Sequence, residues 1–71
     1  MKVKVALETM SDIYEFVAIA SKIPEPVSLI GEDFKVNAKS LLGALYTMEW
    51  KEVWCECEKD IYGKITKFVI N

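Results

Sequence analysis

The sequence predicts a two-layer α/β (α+β) sandwich of order β-α-β-β-α-β-α, with a four-stranded antiparallel sheet and its helices on one face. Three observations carry this. Apolar and charged residues alternate near both ends, at residues 2–7 and 51–59, which is the period of a half-buried strand. Between them, Ile13, Phe16, Val17 and Ala20 recur at helical spacing. Two short apolar runs also flank Gly31-Glu32-Asp33, a turn that folds them into a hairpin. A sheet with one apolar face needs one covering layer, and the alternation leaves its other face to water.

The first strand, at residues 2–7, places Val3, Val5 and Leu7 on one face and Lys2 and Lys4 on the other. Ser11 or Asp12 caps the next helix, and Asp12 with Glu15 has capping-box spacing. Pro24 and Pro26 stop that helix after Lys22 and start an extended segment. Residues 27–30 form the second strand and residues 34–37 the third. Ser40 opens a short helix whose apolar residues are Leu41, Leu42 and Leu45. In the fourth strand Val53, Cys55 and Cys57 face one way, and Glu52, Trp54, Glu56 and Glu58 the other. Asp60 caps a last helix carrying Ile61, Ile65 and Phe68, weakened by Gly63 at about 1 kcal/mol relative to alanine. With the first and last strands as neighbours, Lys2 and Lys4 pair with Glu56 and Glu58, contributing about 0.2–1 kcal/mol each. Trp54, among those charges, is either lidded by the stem of Lys2 or Lys4 or stands as a binding anchor.

A chain of 71 residues makes a single domain, residues 1–71. At that size it buries about 60% of its unfolded surface, and a 52% hydrophobic content supplies the core. The net charge is −2, the nine positive residues are all lysines, and histidine is absent. Without arginine forks a mildly acidic chain is poorly suited to grip nucleic acid. The alternating N-terminus is not a leader peptide, and no apolar run approaches the roughly 18 residues of a membrane span. The expected location is cytoplasmic. Cys55 and Cys57 read as buried core thiols, since two cysteines without histidine make neither a disulfide framework nor a zinc site. No metal and no cofactor are expected.

Ala20-Ser21-Lys22, the spacing through Val27 and Leu29, and the corner Val36-Asn37-Ala38-Lys39-Ser40-Leu41-Leu42-Gly43 resemble the HPr phosphocarrier family of the bacterial phosphotransferase system. The likeness runs without a gap over residues 20–45 and more loosely over the whole chain. It implies the HPr-like open-faced sandwich. That family carries phosphate on a histidine just after the first strand, where free N–H groups and the helix dipole stabilise the anion. An arginine and a proline follow it. Here the region reads Glu8-Thr9-Met10-Ser11-Asp12, with none of the three. Thr9, Met10 and Ser11 form a degenerate carrier loop flanked by two carboxylates that repel an anion. A hydroxyl at Thr9 or Ser11 would hold phosphate as a stable ester rather than pass it on.

In the resembling family the serine matching Ser40 is the regulatory target of an ATP-dependent kinase, and Lys39 places a cation beside it. Read from its own neighbours, Ser40 is a helix cap. Leu41, Leu42 and Leu45 resemble the family's apolar docking patch. Leu41 and Leu42 diverge by about 100°, so at least one is exposed. Tyr46 and Met48 extend the apolar character, and Trp50 reads as packing. The expected function is therefore a regulatory or adaptor protein of the phosphotransferase system that lacks carrier activity. It would bind through Leu41, Leu42, Leu45 and Lys39 and be switched at Ser40, its partner an HPr kinase or a system-linked regulator. One alternative is a phosphocarrier with a substitute acceptor at Thr9 or Ser11. Another is a scaffold-only interaction domain, monomer or homodimer, without phosphorylation. An enzyme, a nucleic-acid binder and a membrane protein are not expected.

Overall fold

The structure, a computed structural model, describes residues 1–70. The alternating N-terminus forms β1 (Lys2–Val5), followed by α1 (Met10–Ser21), β2 (Val27–Ile30) and β3 (Lys35–Asn37). Helix α2 (Leu41–Leu45) runs into a 3₁₀ turn, Tyr46–Glu49. Strand β4 (Val53–Cys57) and helix α3 (Tyr62–Ile65) follow, and a second 3₁₀ turn covers Thr66–Phe68. The expected element order is observed.

The sheet order is β1-β4-β2-β3, antiparallel throughout. Leu29 pairs with Cys55 and Val3 with Cys55, so the apolar members of three strands fall on one face. Onto that face α1 sets Ile13, Phe16 and Ala20, α2 sets Ala44, and the C-terminal segment sets Ile61, Ile65 and Phe68. Each large apolar side chain buried here contributes roughly 1.5–3 kcal/mol. Phe16 and Phe68 meet edge-on, with ring centroids 5.4 Å apart at 73°, which ties α1 to the end of the chain.

Three strands are shorter than the alternation suggests. β1 ends at Val5 rather than residue 7, where its ladder with β4 stops at Val53, and the C-terminal segment pairs along its outer edge. Val5 bridges Val69, the Ala6 N–H donates to the Phe68 carbonyl (2.8 Å), and the Ile70 N–H donates to the Lys4 carbonyl (3.0 Å). β3 starts at Lys35 because Phe34 closes the turn, its carbonyl accepting from the Gly31 N–H at 2.8 Å. β4 keeps only Val53–Cys57, the part that pairs with β1 through Val53 to Glu56 and with β2 through Trp54 to Cys57. The last helix also begins later than expected. Ile61 occupies its cap position, and Asp60 acts one residue earlier, Oδ1 accepting from the Tyr62 N–H at 3.0 Å.

The charge pairs on the open face differ from the expected set. Lys2 lies opposite Glu56, yet its ammonium sits over the Trp54 ring, 5.7 Å from the centroid. Lys4 pairs instead with Glu52 at 3.1 Å, and Glu56 with Lys35 at 3.7 Å. Ser28 is the register partner of both Glu56 and Asn37. Its small side chain leaves the path that Lys35 crosses to reach β4. Among the described residues, no helix is long and apolar enough to cross a membrane.

Candidate functional site

Two helix starts hold the residues that the sequence singles out. At the start of α1 the cap is Thr9, not Ser11 or Asp12. The Thr9 hydroxyl accepts from the Asp12 N–H at 3.0 Å. In return, the Asp12 carboxylate accepts from the Glu8 N–H (3.0 Å) and the Thr9 N–H (3.3 Å). The sequence contains two overlapping boxes, Thr9 with Asp12 and Asp12 with Glu15. The earlier one forms, and Glu15 is drawn away to Lys67 at 2.8 Å. That pairing pushes the Lys67 amine above its ordinary pKa, first through the hydrogen bond and then through the charge of Glu15. The chemical result at α1 is a helix start already carrying its own anion. Met10 and Ser11 lie exposed beside it.

Helix α2 starts on Ser40, as expected. Its hydroxyl accepts from the Gly43 N–H at 3.1 Å, and the first turn has no acidic residue. The corner before it is held by Asn37, whose Oδ1 accepts from the Lys39 N–H at 2.9 Å. Lys39 itself turns back. Its amine donates to the carbonyls of Ile23 and Pro24, fastening the corner to the segment between α1 and β2. Its charge is thus shared with backbone carbonyls rather than left free beside Ser40. The sequence offers no signal for this, because the two segments are 15 residues apart and meet only in the fold.

Of the three leucines, Leu42 is 69% exposed and Leu41 38%, while Leu45 is half-buried against the core. Only Ala44 of this helix is fully buried. Tyr46 and Met48 are exposed and continue the surface. α1 packs alongside α2 and adds Met10 and Tyr14 to the exposed apolar residues of the molecule. The small residues Ala44 and Gly43 explain the close seat. A Cβ at Gly43 would stand 3.4 Å from the Val36 Cβ, so α2 lies almost on β3.

The remaining candidates are structural. Trp54 is half-buried under Lys2, so of its two readings the lid is the one observed. Cys55 and Cys57 are both free and buried. Burial, and then the neighbouring Cys57, push the Cys55 thiol up to about 12, so it stays protonated and packs as a small apolar group. Among the described residues, no group of three or more His, Cys, Asp or Glu converges as a metal site. One feature the sequence did not point to is a stacked aromatic pair, Phe34 and Trp50, at the turn before β3.

The fold that carries these residues has a counterpart among solved structures. The crystal structure of HPr-C-His from Thermoanaerobacter tengcongensis matches with a TM-score of 0.71 at 23% sequence identity, covering 94% of this chain and 83% of that one. The chain therefore has the HPr-like fold. No family model and no curated protein matches it.

Proposed function

We propose that this chain is an HPr-like regulatory or adaptor protein without phosphocarrier activity, which binds a protein partner through α2 and is switched by phosphorylation of Ser40. The observation that carries the reading is the closed start of α1. A carrier there needs an acceptor that gives phosphate up, and N–H groups free to receive the anion. The chain has no histidine, and the Asp12 carboxylate occupies the Glu8 and Thr9 N–H groups. A phosphoryl group would meet fixed negative charge where it needs donors.

The start of α2 has the opposite character. Ser40 is a neutral cap with no acid in the first turn, so added negative charge is tolerated there. Beside it, Leu41 and Leu42 present apolar surface that the core does not use. Exposed apolar clusters of this kind mark contact surfaces.

The test is incubation with ATP and an HPr kinase, with a genuine HPr as positive control and mass spectrometry to locate the phosphate. Phosphate on Ser40, absent from Ser40→Ala, supports the switch. Modification of HPr but not of this chain removes the switch and leaves the scaffold-only interaction domain. A separate incubation with the phosphate donor that charges the carrier histidine of HPr tests the other half, where an acid-labile phosphate on this chain would overturn the loss of carrier activity.

A further inference from the structure

Two aromatic rings on this molecule lie near lysine ammonium groups. Lys2 covers Trp54, and Lys67 lies 5.8 Å from the centroid of Phe68. Phe34 has no such cover among the described residues and is 61% exposed. It is nonetheless held in place. Its ring stacks on Trp50 with centroids 5.8 Å apart and planes within 14°. Trp50 in turn lies against the backbone of Gly31, where a Cβ would stand 2.8 Å from the indole. A groove of about 200 Å³ runs between the turn and the segment entering β4. Its rim carries Glu32, Asp33, Glu49 and Glu52 against one lysine, Lys51. Glu52 is paired with Lys4, and the other three carboxylates have no ion-pair partner among the described residues.

We infer that Phe34 and Trp50, with Glu32, Asp33 and Glu49, form a docking surface for an arginine-bearing segment of another protein. A guanidinium is planar, so it can lie on the outer face of Phe34 while its N–H fork reaches the rim carboxylates. The aromatic floor supplies a desolvated contact and the rim supplies charge, a combination that neither half gives alone. The occupant is a different chain, because this one contains no arginine. A nucleic acid or an anionic lipid surface would be repelled by the same rim. The surface adjoins the Leu42 side of α2 only through Glu49, and substitutions at Phe34 leave Ser40 and Leu42 intact, so its failure and the failure of the proposed function can be told apart.

The experiment uses the Trp54→Phe protein, which leaves Trp50 as its single tryptophan, titrated with acetylated tetra-arginine amide at physiological salt. The expected result is a saturable change in Trp50 fluorescence. Backbone amide shifts should be confined to residues 31–34 and 49–52. Phe34→Leu keeps apolar bulk but removes the ring face, and should weaken binding about tenfold. Neutralising the rim with Glu32→Gln, Asp33→Asn and Glu49→Gln should weaken it at least as much, and tetra-lysine should bind more weakly than tetra-arginine. The uncharged Leu42→Ser should change nothing. The inference is overturned by no saturable change up to millimolar peptide, by shifts spread over Glu8, Glu56 and Glu58, or by unchanged affinity in Phe34→Leu. Self-association that buries Phe34, seen by sedimentation, would also overturn it.

Discussion

Helix α1 begins on Thr9 with a carboxylate folded back onto the Glu8 and Thr9 N–H groups just ahead of its first turn, and it is anchored by Ile13, Phe16 and Ala20 in the core. Helix α2 begins on Ser40 with a hydroxyl alone, is anchored by Ala44 and in part by Leu45, and turns Leu41 and Leu42 outward. The same local device, a side-chain oxygen accepting from an N–H three residues on, thus serves two ends. In α1 the start is electrostatically complete and the apolar face is spent on the fold. In α2 the start is uncharged and much of the apolar surface is left over. A helix that holds the fold together cannot easily also be a part that is modified and recognised, so the proposed function asks for those roles at α2 and not at α1.

This contrast can be broken by substitution. The largest effect is expected at the anchor of α1, where Phe16→Ala should cost about 3–5 kcal/mol, because the cavity beside Phe68 adds to the lost burial. A urea midpoint that barely moves would show that α1 is not the structural helix of the pair. The sheet floor beneath the helices gives the next effect, and it depends on pH. The Cys55 thiol is raised in the fold from 9.0 to about 12, so the unfolded chain loses that proton first. Stability is fully present below pH 9 and falls as pH rises through the window from 9 to 12, by about 1.4 kcal/mol per unit at most. Urea melts at about pH 8 and about pH 10.5 should show this fall, with a shallower one in Cys55→Ala.

The caps come next. Thr9→Ala removes a reciprocal cap and strands Asp12, so a loss of about 1–2 kcal/mol is expected. Ser40→Ala loses one neutral cap bond of a short helix and should cost about 0.5–1 kcal/mol. Equal losses in thermal melts would erase the difference between the two starts. The smallest stability effect is expected for Leu42→Asp, within about 0.5 kcal/mol, since the side chain is mostly in water. A larger loss would mean that the α2 surface is part of the fold.

Much of this was legible in the chain. The inward run of Val53, Cys55 and Cys57 follows from alternation, and burial of Ile13, Phe16 and Ala20 from helical spacing. The exposure of Leu41 and Leu42 followed from their divergence around the helix. What the sequence left open depended on which segments meet. The α1 cap was misplaced because two overlapping boxes were available, and only the Lys67 pairing shows why Glu15 is engaged elsewhere. The Lys35–Glu56 pair needs the strand order and the small Ser28 between them. The Lys39 fastening and the Phe34–Trp50 stack join residues distant in sequence, which no local pattern reports.

The two margins of the sheet carry a consequence for behaviour in concentrated solution. Open strand margins template the addition of further chains, and proteins that survive crowding blunt them. On the β1 side the Val5–Val69 bridge, through the Ala6 N–H and the Lys4 carbonyl, occupies the end of the margin that would recruit a neighbour. On the other side β3 is three residues long and carries an exposed lysine, Lys35. Fibril-like growth by strand addition is therefore disfavoured at both ends, and shortening the chain before Val69 would reopen one of them.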